Sequence, residues 1–82
     1  METMIEFTHA SKQFTVKVVH DGKAPFYYWV LLSYPELKRV FGEDLAFYKP
    51  DGHLVPVDLT LRTRNPVLFD DIQKAVEDAG FK

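Results

Sequence analysis

"FYYWVLLSY", residues 26–34, opens with four consecutive aromatic residues and continues through Val30, Leu31 and Leu32. Phe, Tyr, Trp and Val favour strands, and Pro25 and Pro35 bracket the segment, so it reads as a strand rather than a helix. Phe26, Tyr28, Val30 and Leu32 then point to one side, and Tyr27, Trp29 and Leu31 to the other. Both sides are apolar, as in strands buried on two faces. What covers the second side is the central question posed by this sequence.

The flanking segments divide at their turn residues. "IEF" (5–7) and "QFTVKVV" (13–19) read as strands joined by the polar turn "HASK" (9–12). Phe14, Val16 and Val18 share one face of the second strand, and Thr15, Lys17 and Val19 share the other. "HDGKAP" (20–25) is a turn in which Gly22 supplies positive φ. Beyond the aromatic strand, "SYPELKRVFG" (33–42) has the marks of a short helix. Ser33 is the expected cap, Glu36 completes a capping box, Pro35 fits the first turn and Gly42 the stop. Leu37, Val40 and Phe41 form its apolar stripe.

"EDLAFYKPDGHLVPVDL" (43–59) reads as a hairpin around the turn "KPDG". The returning strand is expected to run on through "TLRT", with Val55, Val57, Leu59 and Leu61 on one face. Pro56, Asp58, Thr60 and Arg62 would share the other, and Pro56 marks a sheet edge or a bulge. A second helix follows in "RNPVLFDDIQKAVEDAGFK", capped by Asn65, started by Pro66 and stopped at Gly80. Leu68, Ile72, Ala75, Val76 and Ala79 form its apolar stripe. Asp70 and Asp71 lie in its N-terminal half, where the helix dipole favours acids.

The order β-β-β-α-β-β-α predicts one α+β domain over residues 1–82. It is a small two-layer fold with a mainly antiparallel four- to five-stranded sheet packed by two helices. Two helices of roughly two and four turns cover only one sheet face. The other strands agree, because their second faces carry Thr15, Lys17, Asp58, Thr60 and Arg62. The outer side of the aromatic strand therefore needs a cover. Either the sheet curls, or a loop such as 43–46 folds back over it, or a partner sits there.

Composition narrows the function classes. The chain has no cysteine, so it has no disulfide framework, thiolate metal site or cysteine nucleophile; this favours a cytoplasmic protein. No apolar run approaches the roughly 20 residues of a membrane span, and the N-terminus has no signal-peptide pattern. A net charge of −2 lacks the basic footprint of a dedicated nucleic-acid binder. His9, His20 and His53 each lie near a turn or strand end, without metal-ligand spacing. Ser11 and Ser33 have turn and cap roles to fill, and the isolated glycines form no phosphate loop. Asp70 and Asp71 diverge by about 100° on a helix and make a poor shared-proton pair.

The expectation is a small non-enzymatic protein–protein interaction module, an adaptor, inhibitor or regulator of a kind common in bacteria and their phages. It needs no cofactor or metal. It would bind another protein, or a second copy of itself as a homodimer, through Tyr27, Trp29 and Leu31 with Lys17 and Arg62 as a charged rim. The alternative is single-stranded RNA or DNA stacked on the same rings, held by Lys17, Arg62 and Arg64. An N-terminal strand at the sheet edge is a further candidate, as an acceptor for a peptide strand.

Overall fold

A computed structural model describes residues 2–21, 26–50 and 52–79. Five strands form one antiparallel meander in the order β1-β2-β3-β4-β5. They are β1 (Glu2–His9), β2 (Lys12–His20), β3 (Phe26–Leu31), β4 (Asp44–Lys49) and β5 (Val55–Pro56). Helix α1 (Pro35–Phe41) joins β3 to β4, and α2 (Pro66–Asp78) follows a 3-10 helix at Leu59–Arg64. The fold is α+β, as the order of segments predicts.

Register decides which side of each strand is buried. Val18 pairs with Val30 and Val30 with Leu45; Tyr28 pairs with Phe47. All five are almost wholly buried. Ile5, Phe7, Phe14 and Val16 extend this inner face across β1 and β2. Leu37 and Phe41 of α1 cover one part of it, and Leu68, Phe69, Ile72 and Val76 of α2 another. Phe69 was absent from the predicted stripe of α2. It is only 1% exposed and binds the two helices to the sheet, with its ring 5.9 Å from Phe41 and 5.6 Å from Phe47.

The turn between β1 and β2 is tighter than its sequence advertises. His9 pairs with Lys12, which leaves a two-residue loop. Ala10 and Ser11 have φ of 52° and 65°, both left-handed. This is the primed turn whose twist matches the flanking strands, and it prefers Asn-Gly. An L-residue with a Cβ loses about 1 kcal/mol or more in that region. Combining Ala10→Asn with Ser11→Gly therefore stabilises the protein by about 1–2 kcal/mol. A urea titration checks this: the midpoint rises while the slope stays constant.

Three local expectations are corrected. First, Ser33 does not cap α1. Pro35 occupies the first helical position, so the cap falls on Tyr34, whose side chain makes no capping hydrogen bond. Instead the backbone N–H of Thr15 donates to the Tyr34 hydroxyl at 3.1 Å. β3 stops at Leu31, and the hydroxyl takes the place of a strand partner. Glu36 accepts from Lys12 at 2.6 Å rather than closing a capping box. The stop at Gly42 holds: φ is 90° and its N–H donates to the Lys38 carbonyl.

Second, β5 ends after two residues, and "LTLRTR" is a 3-10 helix instead of a strand. Asp58 redirects the chain. Its carboxylate accepts from the Thr60 N–H at 3.0 Å and from the Thr60 hydroxyl at 2.6 Å. Those hydrogen bonds hold its carboxyl below the usual carboxylate range. Val55, Val57, Leu59 and Leu61 consequently share no strand face: Leu59 is exposed, and Leu61 packs against the core.

Third, Asp70 and Asp71 answer to side chains rather than to the helix dipole, since they lie beyond the first turn of α2. Arg62 engages Asp70 through two hydrogen bonds of 2.9 Å, and His9 reaches Asp71 at 2.8 Å. Asn65 caps α2 as expected, accepting from the Leu68 N–H at 3.1 Å. The predicted Gly22 turn, the Asp51 turn position and the Gly80 stop lie outside the described residues.

Candidate interaction face

The register that buries one sheet face fixes the composition of the other. Glu2, Val19, Trp29 and Ala46 stand in one cross-strand row. Met4, Lys17, Leu31 and Asp44 form the next. Tyr27, Tyr48 and Val55 form a third. Both helices pack on the opposite face. Residues 44–46, expected as a possible loop over the aromatics, are part of β4 beside β3.

Three rings stack along this outer face. Tyr27 lies 5.8 Å from Trp29 at 22° and 5.8 Å from Tyr48 at 21°. Near-parallel rings at this spacing form a continuous platform and hold one another in place. Tyr27, Trp29 and Tyr48 are half-buried, Leu31 is 37% exposed and Met4 57%. Among the described residues, then, only neighbours in the sheet shelter the apolar side chains on this face of β3.

Of the predicted site residues, the structure brings Tyr27, Trp29, Leu31 and Lys17 together and leaves Arg62 apart. Lys17 stands beside Leu31 and Met4, with its ammonium 3.7 Å from Glu2. Arg62 is carried to the helical layer by the 3-10 turn and binds Asp70 there. This bond keeps the Asp70 carboxyl below its ordinary value. Arg64 also faces away from the platform, donating to the Val40 carbonyl in the last turn of α1 at 3.1 Å. That contact satisfies one of the carbonyls a helix C-terminus leaves open.

No protein-family model, curated protein or solved structure matches the chain. Its function must therefore be argued from the chemistry of this face and its surroundings.

The histidines are dispersed. His20 is buried and stacked on Tyr28, 5.8 Å between centroids. Burial, with the charge of Asp21 second, pushes the Tyr28 phenol above its ordinary pKa. His53 is exposed. His9 and Asp71 make an imidazole–carboxylate pair that ties the β1–β2 turn to α2. Among the described residues, no group of three or more His, Cys, Asp or Glu side chains is placed to hold a metal ion. No described helix is long and apolar enough to cross a membrane.

Tyr48, Met4 and Val19 belong to the face but were not singled out as site residues. Alternation along "DLAFYK" places Asp44, Ala46 and Tyr48 on one side. Which side that is depends on the register between β3 and β4. A helix connects these strands, so no tight turn fixes their register from sequence alone.

Proposed function

We propose that this chain is a small non-enzymatic protein–protein interaction module, an adaptor, inhibitor or regulator acting in the cytoplasm. It docks through the outer face of its sheet, first of all onto a second copy of itself. The observation that carries this reading is the partly exposed stack of Tyr27, Trp29 and Tyr48 on a face that no described helix covers. Rings of this kind, held rigid before association, lose little freedom on binding and dominate interface energetics.

Charge supports self-association. Lys17 and Asp44 flank Leu31 on either side in the same cross-strand row. A two-fold axis through the platform sets Lys17 of each copy against Asp44 of the other, as an isologous contact requires. Size sets the expected strength. Five strands about 4.8 Å apart, with six residues rising about 3.3 Å each, give a face of roughly 500 Å² in plan. Standard interfaces bury about 800 Å² per partner, so association in the micromolar range or weaker is expected.

The test uses the protein's single tryptophan. Sedimentation and Trp29 fluorescence are followed together across concentration. The expected result is a dimer at high concentration, with Trp29 emission shifting to shorter wavelength as it forms. Trp29→Glu and Leu31→Glu should both be folded monomers. A wild type that stays monomeric near millimolar concentration, with constant emission, removes the self-association reading.

The stacked rings favour one second reading. Unpaired bases stack on such a platform, and Lys17 remains beside it to meet a phosphate. Arg62 and Arg64, the other cations of that reading, are engaged elsewhere. Quenching of Trp29 by a single-stranded oligonucleotide, with affinity falling steeply with salt, would favour nucleic acid. Apolar self-association depends little on salt.

A further inference from the structure

The two sheet edges are treated differently. β5 is two residues long and contains Pro56, so that edge offers little backbone to pair with. β1 is eight residues long, and its register with β2 runs unbroken from Glu2–Val19 to His9–Lys12. It has no proline, lysine or bulge to protect its free side. In the tight turn, the His9 carbonyl faces the Lys12 N–H, making these a hydrogen-bonded pair. Hydrogen-bonded and non-bonded pairs alternate, so Phe7 and Ile5 also bond to β2. The backbone groups of Met4, Glu6 and Thr8 therefore point outward along an edge that no described strand pairs with.

That edge opens into a groove of about 530 Å³ between β1 and α2. Ile5 and Phe7 form its floor, and Ala75 and Ala79 its helical wall. Ala75 is half-buried and Ala79 exposed, so the predicted apolar stripe of α2 continues past the last strand of the sheet. From Asp71 to Ala79 the helix wall spans about 12 Å. The edge from Met4 to Thr8 spans about 14 Å. The two lengths match, and a strand of about five residues fits between them.

We propose that this groove accepts an extended peptide segment as a sixth strand, one in which basic residues alternate with apolar ones. Backbone pairing with Met4, Glu6 and Thr8 supplies the register. Apolar side chains of the incoming strand fall on the inner side, against Ala75 and Ala79. Its other side chains fall beside Glu6. Among the described residues that line the groove, the charged side chains are Glu6, Asp71 and Asp78 against Lys74, a balance that favours a basic segment. The acids of β1 itself disfavour a second copy of this chain, because two antiparallel β1 edges would bring Glu2 and Glu6 of both copies together. The groove shares Met4 with the outer sheet face but includes none of the three stacked rings.

A short acetylated peptide alternating lysine and valine is the probe, titrated into isotope-labelled protein. Amide shifts are expected at Met4, Glu6, Thr8 and Ala75, with those of Tyr27 and Trp29 unchanged. Replacing the lysines by glutamate should weaken binding about tenfold or more, and Asp78→Lys should weaken the lysine peptide. The decisive arm modifies only the peptide. N-methylating one alternating set of its amides should abolish binding, and N-methylating the other set should not, because only one edge of the incoming strand meets β1. Equal effects of the two sets, shifts centred on Trp29, or no binding at millimolar peptide would each overturn the proposal.

Discussion

Val30→Asp unfolds the protein at room temperature, whereas Trp29→Glu, one residue earlier on the same strand, leaves it folded. Val30 is 0% exposed in the central strand, between Val18 and Leu45. Its replacement removes a buried aliphatic group, worth about 1.5–3 kcal/mol. It also places a carboxyl group where no partner is built for it, a further cost of several kcal/mol. A domain of this length has roughly 4–12 kcal/mol of stability in total. The two effects together consume most or all of it. Trp29 shares its face with Tyr27, Val19 and Ala46 and is only partly buried. Trp29→Glu forfeits stacking and some sheltered area, at a cost of about 1–2 kcal/mol. Circular dichroism of the two variants checks the pair. If both unfold, the outer face is core, and the proposed interaction surface goes with it. If Val30→Asp folds and Trp29→Glu unfolds, the two faces of β3 are exchanged, as a one-residue slip in register would do.

Phe69→Ala destabilises the protein by about 3–5 kcal/mol. The ring sits where α1, β4 and α2 meet, against Phe41 and Phe47. Three elements surround the vacated space, and each is tied to its place by other contacts, so collapse to fill it is limited. Asn65 fixes the start of α2, and Gly42 the end of α1. In urea, with a slope of about 1 kcal/mol per molar for a chain of this size, the midpoint should fall by about 3–5 M. Phe69→Leu keeps most of the volume and should lose less than about 1.5 kcal/mol. A loss of under 1 kcal/mol for the alanine variant would mean that α2 does not rest on this ring.

Segments with strong local chemistry were legible in the sequence. Alternation in "FTVKVV" and "FYYWVLL" assigned the inner and outer faces of β2 and β3, because a period of two leaves a single choice once one face is buried. Asn65-Pro66 marked the start of α2 for the same kind of reason: cap and first turn are set by neighbouring residues. The misreadings arose where two local signals competed. Ser33 and Pro35 both point to a helix start, and the proline wins because its position in the first turn is sterically fixed. "LVPVDLTLRT" alternates like a strand, yet Asp58 and Thr60 form a local hydrogen-bonded turn that ends the strand early. That misreading also put Arg62 and Arg64 on the sheet, whereas the 3-10 helix carries them to the helical layer. Tyr48 was missed because its side depends on pairing across α1, which no local signal sets. Phe69 was missed because an apolar stripe counted at helical spacing admits Leu68 and Ile72 without it.

The meander carries a cost during synthesis. Each strand pairs with the one made just before it, so the sheet can assemble as the chain emerges from the ribosome. The helix that shields Ile5 and Phe7 comes after every strand in chain order. At about 5–20 residues per second, the greasy inner surface of β1 and β2 stays uncovered for seconds while the remaining residues are translated. Throughout that interval the nascent chain is a natural client for chaperones, and closure of the inner face over β1 waits until α2 has been made.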